Sequence, residues 1–137
     1  MFSVAGFGGD FRIMSGTLLG GLWTYPSISF PDHDDFMFID EVRGRIVMFV
    51  VVRDDPPERA PVRNWYQQDS ATSISVRLRL TEPWRVYDSQ IEGNTLSWNY
   101  GGAVHPWRRV PWKARPDWLD ARLNSQYTKM DAAEKCS

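Results

Sequence analysis

Cysteine is nearly absent from the 137-residue chain: Cys136 is the only one. No internal disulfide can form, which excludes the stapled scaffolds of small secreted domains and favours a reducing compartment. Excess charge of one sign is missing too. Sixteen lysines and arginines stand against seventeen aspartates and glutamates, a formal net charge of −1, so no general field gathers nucleic acid or an anionic membrane. Long apolar runs are also lacking. The opening MFSVAGFGGDF has neither a basic leader nor an apolar core of useful length, so it reads as neither signal peptide nor membrane anchor. These absences predict a cytoplasmic protein of one domain, residues 1–137, with 1–13 as an N-terminal extension or lid. At 15.9 kDa such a domain buries a core without metal or disulfide.

Aromatic rings are what the chain has in quantity. Seven Trp, five Tyr and seven Phe make 14% of it although the mean hydropathy is −0.43. Rings with one polar handle suit a β core and the wall of a ligand pocket equally well.

Most of the sequence reads as strand. TSISVRLRL, residues 72–80, places Ile74, Val76, Leu78 and Leu80 on one face and Ser73, Ser75, Arg77 and Arg79 on the other, the period-two signature of a half-buried strand. WRVYDSQI, the turn Glu92-Gly93-Asn94 and TLSWNY read as a hairpin. FMFID and RIVMFVVV flank Val42-Arg43-Gly44 and form either two strands with a turn or one long bent strand. VRNWYQQ (62–68), AVHPWRRV and the Trp23 segment bring the count to about eight. One amphipathic helix is predicted over 116–131, with Pro116 in its first turn and Leu119, Leu123, Tyr127 and Met130 along one stripe.

Eight short-linked antiparallel strands avoid open edges by closing into an up-and-down barrel, with the helix packed outside. Gly20 and Gly21 then let the first strand bend across the floor, which Trp23 plugs. Gly21-Leu22-Trp23 resembles the G-x-W signature of the lipocalins and the wider calycin group. That resemblance implies an eight-stranded barrel closed at the tryptophan, a small apolar guest inside and a C-terminal helix against the outer wall. The chain departs from the secreted members in lacking paired cysteines and a strand after the helix. Intracellular lipocalin-like barrels include cofactor-free enzymes acting on polyketide, terpenoid or phenolic metabolites, so the resemblance also admits catalysis.

Among candidate chemistry, His105 alternates with Trp107 and follows Tyr100 and Gly101-Gly102, which places it near the barrel mouth. Imidazole is the side chain suited to proton transfer near neutrality. If Trp84 and Val86 face inward, Asp88 does as well and orients His105 or acts as a base. Tyr100 and Glu41 are further candidates, Glu41 within a mixed cluster of Asp40, Glu41, Arg43 and Arg45 that serves equally as a solvated hairpin end. Trp23, Trp65, Tyr66, Trp84, Trp98 and Trp107 are the expected ligand wall. Asp32-His33-Asp34-Asp35 reads as a solvated turn and no metal site is expected. GFGGDF lacks the strand, helix and lysine of a phosphate loop. HPWRRVPWKARPDW mixes cations with tryptophans but reads as a closing strand and linker, so nucleic acid is not an expected partner.

The resulting expectation is a cofactor-independent isomerase, cyclase or lyase acting by general acid/base chemistry on an apolar or aromatic metabolite. A non-catalytic carrier or sensor is the alternative, an interaction module using the helix or WRRVPWKARPDW the third reading, and a homodimer stays open.

Overall fold

The run IVMFVVV has no polar residue for either face of a strand, whereas the later strands alternate. That difference follows from what each face meets. In the computed structural model, which describes residues 19–26, 33–52, 57, 60–100 and 102–136, eight strands occur in chain order: β1 (Gly21–Pro26), β2 (His33–Asp40), β3 (Arg45–Val52), β4 (Val62–Ser70), β5 (Ser73–Arg77), β6 (Arg85–Glu92), β7 (Thr95–Tyr100) and β8 (Ala103–Val110). Each pairs antiparallel with its neighbours, and β8 returns to β1. The sheet is a closed barrel, so every strand has a paired neighbour on both sides. A 3-10 turn (Trp112–Ala114) leads into a single helix, α1 (Leu119–Lys135).

Two apolar clusters result. Inside, Trp23, Met37, Ile39, Ile46, Tyr66, Ile74, Val76, Leu96 and Trp107 fill the barrel. Outside, Leu22, Phe38, Val47, Phe49 and Val51 pack against Leu119, Leu123, Tyr127 and Met130 of α1. The strands β1 to β3 are therefore buried on both faces, which requires the near-continuous apolar run. Strands β4 to β8 meet mostly water outside and keep their alternation.

Polar groups fix the helix on this wall. The Tyr127 hydroxyl donates to Asp40 Oδ2 at 2.5 Å, and the same carboxylate accepts the backbone N–H groups of Val42 and Arg43, each at 3.0 Å. Arg45 donates to Asp131 at 2.6 Å and to Glu134 at 3.0 Å, with its guanidinium 4.8 Å from the centre of the Tyr127 ring. The expected charge cluster at the β2–β3 turn is thus divided: Asp40, Arg43 and Arg45 anchor the helix, and only Glu41 turns to the barrel floor.

Two element boundaries differ from expectation. The strand predicted to reach Leu80 stops at Arg77, because Glu82 accepts the Leu78 N–H at 2.7 Å and a turn forms in which Glu82 N–H reaches Arg79 O at 3.2 Å. Leu78, expected inside, is 52% exposed. The helix runs 119–135 rather than 116–131. Pro116 instead closes a turn whose carbonyl accepts the Leu119 N–H at 3.1 Å, and Arg115 clamps Asp120 in the first helical turn at 2.9 Å. Among the described residues no helix is long and apolar enough to cross a membrane. Residues 1–13, expected as an extension or lid, lie outside the described residues.

Candidate functional site

The two ends of the barrel interior are chemically different. At the closed end, β1 starts at Gly21 with φ +127°, a backbone region that glycine enters without steric cost. At Gly20 a Cβ would sit 2.7 Å from Glu41 Oε1, so a side chain there displaces that carboxylate. The bend sends Trp23 inward, where it is fully buried, and its indole N–H donates to Leu19 O at 3.0 Å. The Arg109 guanidinium lies 4.2 Å from the Trp23 ring centre and donates to Gly20 O at 2.9 Å, while Glu41 accepts the Gly20 N–H.

Burial raises the Glu41 pKa above its ordinary value, with the Gly20 hydrogen bond and the Arg109 charge opposing the shift and Asp40 adding to it. Burial likewise lowers Arg109, and Glu41 opposes that. Tyr66, on the same floor, is pushed upward by burial and by the negative charges of Glu41 and Asp40. A phenol so placed stays protonated. At the floor Glu41, Arg109 and Tyr66 form a polar group beneath the apolar layer.

Nearer the mouth the inward positions carry rings with polar tips. Alternation along β8 puts Ala103, His105, Trp107 and Arg109 on the inner face, and alternation along β1 puts Trp23 and Tyr25 there. Closure of β8 on β1 brings His105 Nδ1 to 3.3 Å from the Tyr25 hydroxyl, with the two rings edge-on at 5.5 Å. Tyr25 also lies 5.5 Å from the Trp107 ring. Trp98 is the cross-strand neighbour of His105 and stands 6.2 Å from Tyr87. Asp35 is the neighbour of Tyr25 across β1 and β2, on the same inward face. The result is a wall of Tyr87, Trp98 and Trp107 beside a histidine–tyrosine pair. A hydroxyl and an imidazole nitrogen in contact can pass one proton between them, the direction depending on the imidazole tautomer.

The residues expected at the site divide into three groups. His105, Trp98 and Trp107 come together near the mouth, and Trp23, Tyr66 and Glu41 meet at the floor. Trp65, Trp84 and Asp88 do not join either group. Trp65 faces outward and its indole N–H donates to Glu134 at 2.7 Å. Trp84 precedes β6 and lies under the Arg77 guanidinium at 4.0 Å. Asp88 is exposed on the outer face with Val86, because the inward residues of β6 are Tyr87, Ser89 and Ile91; the expected inward face was offset by one residue, and in a strand one residue reverses every side chain. Tyr100 ends β7, and its side chain lies outside the described residues. In the acidic stretch, Asp32 lies outside the described residues, and His33 and Asp35 share one face of β2 while Asp34 takes the other. Among the described residues no three metal-ligating side chains converge.

Tyr25 and Arg109 were not singled out from the sequence, and Asp35 was read only as part of a solvated turn, whereas it lies in β2. Tyr25 stands two residues after Trp23, so strand alternation already placed it inside; its contact with His105 spans 80 positions and depends on barrel closure. An open groove of about 1300 Å³ also runs outside the barrel, between Thr24, Phe36 and Val110 and the Pro116–Trp118 segment. Compared with known families, with curated proteins and with solved structures, the chain matches none.

Proposed function

We propose that the mouth half of the barrel binds a small molecule with an apolar or aromatic body and one hydrogen-bonding group. The body lies against Tyr87, Trp98 and Trp107, and the polar group meets Tyr25 and His105. One observation carries this reading: the inward contact between His105 and Tyr25, 3.3 Å long, set among rings in a closed barrel. Lower down the inner face mixes aliphatic Met37, Ile39, Ile46 and Leu96 with Trp23 and Tyr66, whereas near the opening it carries mainly rings. The rings with polar tips near the opening, of which Tyr25, Tyr87, Trp98 and His105 are half-buried, suit a guest. The barrel order, the bend at Gly21-Leu22-Trp23 and the helix outside support a lipocalin-like assignment for this container.

The same pair favours a second reading, cofactor-free catalysis. A ligand with an acidic C–H beside a carbonyl suits it. His105 takes the proton, Tyr25 donates a hydrogen bond to the oxygen, and return of the proton to a different carbon completes an isomerisation with no net change in atoms.

Titration with the neutral aromatic probe N-phenyl-1-naphthylamine, read by tryptophan quenching and probe emission, tests the binding. One saturating equivalent is expected. Ala103→Trp, an exposed inward position at the mouth, is expected to weaken binding at least about tenfold by occupying the entrance. No saturable binding, or equal binding by this variant, overturns the proposal. For a substrate found by such screening, His105→Ala is expected to keep affinity and lose turnover by about 100-fold or more; unchanged turnover removes His105 from the mechanism.

A further inference from the structure

A second groove, on the outer surface and remote from the His105–Tyr25 pair, has a composition that a folded domain does not need. It lies between the start of β4, the turn after β5 and the last turns of α1, and measures about 700 Å³. Its apolar floor includes Val62 and Leu78, which are 44% and 52% exposed, beside Leu80. Three cations surround this floor: Arg63, Arg79 and Lys129. Among the described residues no carboxylate lines the groove.

None of the three cations is neutralised among the described ion pairs. Arg63 is held in place by the neutral amide of Gln126, whose Oε1 it meets at 2.7 Å, so its orientation is fixed while its charge stays uncancelled. Arg79 and Lys129 are exposed. In a chain with a net charge of −1, three cations with no carboxylate partner among the described residues, set round exposed apolar side chains, form a local feature with a definite complement. We propose that this groove binds a small anionic amphiphile, with its apolar chain on Val62, Leu78 and Leu80 and its carboxylate or phosphate head between Arg63, Arg79 and Lys129.

The volume is that of a small-molecule site. Arginine and lysine together give planar and point-charge donors to an anionic head, and the exposed rim makes the attraction weaken with salt.

Cys136 also lines the groove and is the only cysteine in the chain, so its alkylation reports occupancy here and not in the barrel. The test is the rate of Cys136 alkylation by iodoacetamide in the full chain, with dodecanoate or dodecyltrimethylammonium added below their micelle concentrations. Saturable protection by dodecanoate, little protection by the cationic analogue, and a roughly tenfold weaker dodecanoate effect in Arg79→Ala/Lys129→Ala are expected. Both replaced side chains are exposed, so the fold is retained, and unchanged barrel binding of the neutral probe verifies this. Equal protection by the two amphiphiles, no protection, or undiminished protection in the double variant overturns the proposal. Protection by anionic phospholipid vesicles without protection by dodecanoate overturns it in favour of a membrane-surface contact.

Discussion

Glu41 and Arg109 bracket Gly20, one accepting its N–H and the other donating to its carbonyl. A side chain at this position would displace the Glu41 carboxylate. Burial raises the Glu41 pKa, so between the unfolded value and the higher folded one the native state holds more protons. Stability from this group is accordingly full below the unfolded pKa and is lost as pH rises through the folded one. Denaturant titrations between pH 4 and 7 are expected to show the wild type losing stability relative to Glu41→Gln as pH increases; a constant difference contradicts the assignment. At this scale the sequence was informative where a residue type is demanding: Gly20, Gly21 and Trp23 announced the bend, and His105 stood out as one of two histidines. Trp65, Trp84 and Asp88 were not legible. An outward tryptophan covered by a helix or an arginine looks in sequence like one facing inward.

Among the elements, the contrast between IVMFVVV and TSISVRLRL encodes which strands lie under α1 and which face water, and the stripe of Leu119, Leu123, Tyr127 and Met130 encodes the matching face. The stop of β5 was less legible, since an apolar alternation through Leu80 masks a strand end set by the Glu82 carboxylate. What holds the helix is a buried contact, Tyr127 to Asp40. Tyr127→Phe is expected to cost about 1.5–3 kcal/mol at neutral pH, the range for a hydrogen bond to a charged group. Burial, then the Asp40 charge and hydrogen bond, push the Tyr127 phenol upward, and burial does the same at Tyr66. In the unfolded chain both phenols ionise near pH 10, whereas in the folded protein they stay protonated. The stability they contribute is therefore complete below pH 10 and lost above it. Urea titrations from pH 9 to 11 are expected to show a shallower alkaline decline in Tyr66→Phe and Tyr127→Phe than in the wild type; parallel declines contradict the burial argument.

At the level of the whole molecule, the number of strands, their sequential pairing and the outer helix were legible because edge avoidance leaves few arrangements for eight short-linked strands. The Tyr25–His105 pair was not, since it exists only where the last strand meets the first, and no local pattern reports a contact made by closure. That pair and the rings around it are the basis for the binding proposal, and the seven tryptophans provide a direct test. Trp98 and Trp107 face inward near it, while Trp65, Trp84, Trp112 and Trp118 pack outside. The deciding measurement is a proton–nitrogen NMR titration of the indole N–H and His105 ring signals with N-phenyl-1-naphthylamine. The account predicts saturable shifts at Trp98, Trp107 and His105, with the four outer indoles unmoved. Shifts confined to the outer indoles, or none at the inner pair, would contradict it.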